Sequence, residues 1–469
     1  MRNTRPSMRG RPRVCVTGLH GTGYSGIIVL RSGKPVREQE ESHMIDLMGK
    51  TEKTWDLIVV GGGLTGVAAA VSARREGMDV LVVEQAGFLG GAPGTQLINP
   101  FMPYSTTVDG RRFELSRGIF TELRELFREA GGCAADGREI LHEEFIKVAL
   151  DRFVKREGVS VLLHATLCGV EKARETLEAV RVVTKAGVLT FRGRCFLDST
   201  GDADLAVMAG CPYHLGRPDG LCQPMTLCFR IGNVDLPVFR KNRQIMQEKY
   251  RQFRSEGKIQ NPREDVLIFD TLVDGVLHFN TTRVVKRDPT NPFDVTEAEM
   301  IAREQMIEMY QFLKENCPGF EKSQLLYSAG SIGARESRTI DGEYLLTEED
   351  LRACVKFEDA IAAGNYDIDI HNPEGTGTSH YYFPAGTWYT IPYRSLQPKN
   401  ASNLLVAGRC ISSTHEAQAS YRIMPIVTTL GQAAGTAAAL AVKSGTGVKE
   451  IDVKTLQALL RKNGAFLGI

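Results

Sequence analysis

No two of the chain's ten cysteines stand in a C-x-x-C pair; they are scattered at positions 15, 133, 168, 195, 211, 222, 228, 317, 354 and 410. That spacing argues against a disulfide-reductase motif and against a clustered zinc or iron–sulfur centre, so no metal is expected. Free thiols in a reducing cytosol are the plain reading, and a cytoplasmic protein is the expectation. No uninterrupted apolar run reaches the ~20 residues that span a bilayer. The longest, around 57–73 and 427–442, are rich in Gly and Ala and suit tightly packed core helices, so no integral membrane segment is expected. A surplus of one charge sign is missing too. The 57 Lys and Arg balance 56 Asp and Glu for a net charge of +1, which argues against a dedicated nucleic-acid binder. No internal repeat is visible beyond a recurring strand-then-glycine theme.

What is present suits an ordinary globular protein, with 42% hydrophobic and 24% charged residues. A length of 469 residues leaves room for two or three domains, or for one nucleotide domain with a large insertion. The chain is organised around Thr54 to Glu84. Leu57 to Val60 reads as a buried parallel strand, and Gly61, Gly62, Gly63, Leu64, Thr65 and Gly66 complete a G-x-G-x-x-G. An Ala-rich helical run follows, then a second apolar run, Val80 to Val83, that ends in Glu84. Gly61 lets the chain turn out of the strand, Gly63 clears a path for a diphosphate, and Gly66 lets helix and strand pack closely. The free N–H groups and dipole of the new helix attract the diphosphate. Glu84 stands where a ribose-binding acid belongs. The combination predicts dinucleotide binding.

Glycines continue past Glu84, at Gly87, Gly90, Gly91 and Gly94, followed by Thr95. In a nicotinamide domain the next strand should arrive soon after the acid. Here the backbone is instead laid along a longer ligand, which favours FAD over NAD. A further strand, Arg194 to Leu197, runs into Asp198-Ser199-Thr200-Gly201-Asp202, and a last one, Leu404 to Val406, into Gly408 and Arg409. Both read as nucleotide-facing strand ends.

From Met1 to Arg37 there are eight basic residues and no acidic one. A second G-x-G-x-x-G, Gly21 to Gly26, has neither an Ala-rich helix after it nor a strand ending in an acid, and is discounted. Residues 1–53 are expected to be a disordered or artefactual extension, with a transit peptide as the other reading. Residues 54–211 are expected to form the first part of the FAD-binding domain and 386–445 its C-terminal part. Between them, 212–385 breaks the α/β rhythm and reads as an inserted substrate domain. Its expected parts are strands at Met225 to Ile231 and Leu277 to Thr282, a helix over 296–316, and Gly/Asn/Pro-rich loops over 364–378 and 384–387. Residues 446–469 make a short helical cap and tail. The fold class is thus α/β: a Rossmann-like, three-layer domain of parallel sheet plus β-meander (near 168–174 and 179–193), carrying an inserted α+β domain.

Three stretches resemble a known family. These are LLVAGRCISSTHEAQASYRIMPIVTTLGQAAGTAAALA (404–441), SIGARESRTIDGEYLLTEEDL (331–351) and FLDSTGDADLAVMAG (196–210). They are similar to the signatures of the FAD-dependent oxidoreductase family, over about residues 55–445. The resemblance implies a glutathione-reductase-like flavoprotein fold near the succinate dehydrogenase and fumarate reductase branch. It implies FAD far more strongly than any one substrate.

Such folds place the loop after the last strand, here Arg409, Cys410 and His415, beside the flavin ring. His415 is a candidate base because its unperturbed pKa is ~6.5; Cys410 reads as a redox thiol, a covalent flavin attachment point or, favoured because no partner Cys is near in sequence, a packed small side chain. Tyr421 and Arg422 follow, and in a helix Arg422 would share a face with His415 two turns away, where it holds a substrate or pairs with Glu416. The helix Thr429 to Val442, opened by Gly431 and Gly435, would aim its N-terminus at the same place. Arg335 and Arg338 read as salt-bridge partners of Glu336, Asp341 and Glu343 or as substrate contacts. His380 stands in an aromatic cluster with Tyr381, Tyr382, Trp388 and Tyr389 that suits either a cyclic substrate or a core.

The expected function is hydride transfer between flavin N5 and a sugar, polyol or carboxylate, with an unidentified electron acceptor and a homo-oligomer as the open partner. The alternative is a non-catalytic flavin-binding scaffold. The insert favours the enzyme, because polar loops over a cofactor serve to enclose something.

Overall fold

The run Leu57 to Val60 is apolar without alternation because its strand, Thr54–Val60, is covered on both faces. In the computed structural model, which describes residues 53–134 and 137–469, this strand is the centre of a parallel sheet. It pairs with Val80–Val83 on one side, Val60 opposite Val83, and with the end of Gly187–Asp198 on the other, Val60 opposite Asp198. Ser160–Leu162 extends the first edge and Leu404–Val406 the second, with Val406 opposite Asp198. The readings made for residues 1–52, including the Gly21 to Gly26 pattern, lie outside the described residues.

Gly187–Asp198 is one strand of 12 residues, not a meander strand followed by a separate one. Its first half pairs antiparallel with Thr176–Thr184, which pairs in turn with Thr166–Ala173. The turn falls at Lys185 and Ala186, so the strand enters the meander half-exposed and ends in the buried Cys195 to Asp198. The β-meander and the parallel sheet are therefore joined by a single straight segment.

Two helices, Leu64–Arg75 and Met424–Ser444, cross against each other over one face of the sheet. The second begins earlier than the sequence suggests, because Pro425 occupies a first-turn position where its missing N–H costs nothing. Gly431 and Gly435 thus fall in mid-helix rather than at its start. A Cβ on Gly431 would lie 2.1 Å from Thr65 O, and one on Gly435 2.0 Å from Ala69 O, so the two backbones touch at both points. By length and composition Met424–Ser444 is apolar enough to cross a membrane, yet it is mostly buried within the fold.

Residues in the middle of the chain build a separate core. Strands Ile268–Asp270, Leu277–Phe279, Phe229–Gly232 and Gln324–Ser328 form an antiparallel sheet in that order. The long helices Leu236–Ser255 and Pro292–Asn316 contribute to its apolar core, which includes Phe239, Tyr250, Phe279, Phe312 and Phe320. The stretch 364–378 is not all loop. Ile368–His371 and Thr378–Tyr381 form a hairpin in which Asp369 faces His380. The alternation Tyr366-Asp367-Ile368-Asp369-Ile370-His371 has the period of 2 that specifies a strand, and Gly364 and Asn365 before it and Asn372 to Gly377 after it mask that signal.

Candidate active site

A single cavity of about 1380 Å³ runs from the glycine loop to the hairpin. At one end it is lined by Gly61, Gly63, Leu64 and Thr65. The helix that starts here has Gly63 at its N-cap, no side chain capping it and no acidic residue in its first turn. Its first N–H groups therefore keep their capacity for an anion. A Cβ on Gly63 would meet nothing closer than 3.9 Å, so the space in front of those groups is open. Gly66 does not line the cavity; a Cβ there would meet Gly61 O at 1.9 Å, which fixes its packing role. Gly90, Gly91 and Thr95 line the same end.

Glu84 also lines the cavity and is held rigidly. One carboxylate oxygen accepts from Gly62 N at 2.6 Å, the other from Ala86 N at 2.7 Å. Each oxygen retains a lone pair for a ribose hydroxyl. Thr200, Gly201, Asp202, Gly408 and Arg409 complete the polar rim. Arg409 pairs with Asp202 at 2.5 Å, and its Nε has no partner among the described residues. Behind them Asp198 is fully buried and accepts from Thr200 N, Thr200 Oγ1 and Ala206 N, at 3.0, 2.7 and 2.9 Å. Burial pushes its carboxyl up to about 6.

The far end is walled by Arg263, Arg335, Asp369, His371, His380 and Arg422, with Ile423, Met424 and Val427 as its apolar side. Asp367 Oδ2 lies 2.6 Å from His380 Nδ1. His371 is buried, with Nδ1 3.0 Å from Arg283 Nη2 and Nε2 3.5 Å from Asp369 Oδ2. Because a guanidinium only donates, His371 Nδ1 accepts and its proton sits on Nε2. Burial and the nearby arginines hold this imidazole well below its usual pKa, so it is neutral. Asp369 goes the opposite way: His371, Arg422 and His380 hold its carboxyl below the usual range against the effect of burial.

Several expectations need correction. His415 does not line the cavity: it is buried, with Nδ1 2.7 Å from Glu336 Oε1, while Glu336 Oε2 accepts from Gln223 N. His415 opens the short helix His415–Tyr421 and Arg422 caps its end, so the two side chains serve different places. Arg422 reaches Asp369, 3.7 Å to Oδ2, rather than Glu416. Tyr421 is fully buried; it lies 2.7 Å from Ser413 Oγ and donates to Arg409 O, bracing the loop from behind. Gly431 and Gly435 belong to the helix contact and not to the cofactor site.

Arg338 lies on a strand, Arg338–Ile340, so the helical pairing with Arg335 does not exist. It pairs with Asp204 and donates to Asp202 O, outside the cavity. Asp341 pairs with His214 and Glu343 with Lys449, not with the arginines. Of the aromatic cluster only His380 lines the cavity. It stacks on Tyr382, whereas Trp388 joins Phe113 and Phe466, and Tyr389 is buried with its hydroxyl 2.7 Å from Ser420 Oγ. Cys410 is fully buried and its thiol is pushed far up by desolvation, as suits a packing residue. Sequence reasoning missed Arg263, Asp367, Asp369 and His371. The three on the hairpin carry a signal, the alternation noted above; Arg263, in an irregular Asn-Pro-Arg-Glu-Asp stretch, carries none.

Known proteins share parts of this chain's sequence. The chain is 33% identical over 129 residues to gamma-glutamylputrescine oxidoreductase of Escherichia coli, covering 27% of this chain and 28% of that one. It is 27% identical over 158 residues to aerobic glycerol-3-phosphate dehydrogenase of Bacillus subtilis, covering 30% and 26%. The matches thus span about a quarter of the length of these curated relatives. Among solved structures, p-nitrophenol 4-monooxygenase PnpA of Pseudomonas putida is similar at a TM-score of 0.44 and 10% identity, over 88% of this chain and 86% of that one. The description "FAD dependent oxidoreductase" fits residues 56–460, nearly all of the described fold. With the glycine loop, the capless helix start and the fixed acid at one end of a cavity that Arg263, Arg335, Arg422 and the 368–381 hairpin line at the other, the chain belongs to the FAD-dependent oxidoreductase family and binds FAD.

Proposed function

We propose that the protein transfers a hydride between FAD and a small polar molecule held at the end of the cavity walled by Arg263, Arg335, Arg422 and the 368–381 hairpin. The observation that carries this reading is the continuity of the cavity: one space joins the glycine loop to a cluster of two histidines, an aspartate and three arginines. FAD, when bound, supplies the two-electron acceptor or donor. Everything else falls to the chain. The helix start at Gly63 to Thr65 and Glu84 hold the nucleotide part, and the insert closes the polar end.

Proton transfer needs a base whose free nitrogen faces the cavity. His371 does not serve, because its Nδ1 accepts from Arg283 and its proton faces Asp369. His380 does. The carboxylate of Asp367 accepts from Nδ1, which leaves Nε2 as the acceptor at the cavity wall. That relatives bear the names oxidoreductase and dehydrogenase supports the reaction class.

The test is anaerobic. Protein carrying FAD is mixed with carboxylates, amines, polyols and their dehydrogenated counterparts while the flavin spectrum is followed. One pair should bleach and restore the flavin, and His380→Gln should slow that step by about 100-fold or more with FAD retained. Unchanged rates in the variant would assign the proton to another group. A flavin inert to the whole panel would overturn the reading.

A further inference from the structure

Arg263, Arg335 and Arg422 line the far end of the cavity, and Arg283 is near enough that it, Arg263 and Arg422 all depress the proton affinity of Arg335. Two have carboxylate partners. Arg283 Nη1 is 3.3 Å from Glu264 Oε2, and Arg422 Nη2 is 3.7 Å from Asp369 Oδ2. Arg335 has only neutral acceptors: Pro224 O at 2.7 Å, Thr226 Oγ1, and Asn280 Oδ1 at 3.1 Å. Arg263 has none. It is 8% exposed, and no hydrogen bond or ion pair of its guanidinium exists among the described residues; Nε and Nη1 are wholly buried without one.

Elsewhere the fold does not tolerate this. Buried Arg124 is bonded to Glu114, and buried Arg230 to Glu143. A buried charge without a counter-ion is strongly unfavourable, and two side by side add repulsion. Burial and the three neighbouring guanidinium groups pull Arg335 down to about 9. Both arginines without an ion pair, Arg263 and Arg335, line the cavity. Glu264, Asp265 and Asp369 line the same cavity and act on Arg263 through space, yet none bonds its guanidinium, so its open N–H donors belong to something that enters the cavity.

We propose that Arg263 and Arg335 bind a carboxylate of the substrate, so that the molecule oxidised or reduced here is a small carboxylic acid. This rests on the oxidoreductase reading above and adds the substrate class. A carboxylate is planar and offers two acceptor oxygens, which matches guanidinium forks better than a neutral hydroxyl can. It fills guanidinium donors that the protein leaves open. Asp369 and His380 line the same cavity and remain for the reacting end of the molecule.

The experiment uses the holoenzyme in the oxidised state. It is titrated with acetate, malonate and succinate, with the matching neutral amides, and with inorganic phosphate, following the flavin difference spectrum and calorimetric heat. At least one carboxylate should bind saturably while its amide does not. Arg263→Gln should weaken that binding by about 10- to 100-fold with FAD content unchanged, and Arg263→Lys should recover part of it. Four results overturn the proposal. The first is no saturable binding by any carboxylate, and the second is equal binding of acid and amide. The third is phosphate binding more tightly than every carboxylate, and the fourth is loss of FAD from a folded Arg263→Gln protein, which would give the guanidinium to the cofactor. The comparison of acid with amide needs no variant, so it stands even if a substitution unfolds the protein. A flavin reduced by a neutral molecule with no carboxylate binding would sink this proposal and leave the oxidoreductase reading intact. Carboxylate binding with an inert flavin would do the reverse.

Discussion

Replacing Gly431 by Ala tests how the cofactor site is held from behind. The new Cβ would sit 2.1 Å from Thr65 O, about 1.3 Å short of the 3.4 Å of an ordinary contact. The atom it meets is backbone in the first turn of Leu64–Arg75, so no side-chain rotation relieves the clash and the two helices must part. Overpacking of this kind costs about 1–3 kcal/mol, and rigid backbone on both sides puts this case at the upper end. Alanine returns about 1 kcal/mol through its better helix propensity. The net expectation is a loss of about 2 kcal/mol in denaturant unfolding, read as a lower midpoint at unchanged slope. Thr65 also lines the cavity, so displacing it spoils the row of N–H groups there. FAD affinity should fall about 10-fold, measured by fluorescence titration of the apoprotein. Gly435→Ala acts through Ala69 O at 2.0 Å on the same pair of helices. Once one substitution has forced them apart the second costs less, so the double variant should lose less than the sum. A Gly431→Ala protein with parental stability and parental FAD affinity would refute the backbone contact as the reason for the glycine.

Other expectations follow from groups already placed. Glu84→Gln keeps one acceptor where Gly62 N and Ala86 N now use two, so FAD should bind about 10- to 100-fold more weakly in the same titration. His278 is fully buried with both ring nitrogens unpartnered, and His278→Leu should raise stability by about 1 kcal/mol at neutral pH. His278 and His371 are both held well below the usual imidazole pKa, so each stays neutral in the fold while the unfolded chain gains protons below ~6.5. Their contribution is complete above that value and drains away as the pH falls. Unfolding followed from neutral pH to about pH 5 should show a shallower loss in His278→Leu than in the parent, and a parallel curve would refute it.

The nucleotide half of the fold was legible because its chemistry is local. Strand, turn, helix and acid sit within 31 consecutive residues, Thr54 to Glu84, and each is dictated by residue type at short range. The far end of the cavity was not, because it is assembled from Arg263, Arg335, the hairpin and Arg422, segments whose meeting depends on tertiary packing. His415 illustrates the error. A histidine on the right loop reads as catalytic, but which way it faces is decided by Glu336, 79 residues away. Gly431 and Gly435 misled for a related reason. Glycine near a helix start and glycine at a helix crossing look alike until the partner helix is known.

Arg283 gives the hairpin a property that its surface position conceals. Its guanidinium donates to Gly375 O and Gly377 O in the turn, 3.2 and 3.0 Å, and contacts His371 Nδ1 and Thr378 Oγ1, the strand pair that flanks it. A Cβ on Gly375 would meet nothing within 4 Å, so this position of the turn has room for a larger residue, whereas Gly377 is held as glycine by its φ of +104°. Such a change would not stay local, because the same buried cation that reads the turn also orients an imidazole in the cavity wall. A solvent-facing turn is thereby coupled to the cavity wall, so a substitution at Gly375 acts on His371 with every residue of the wall left as it is.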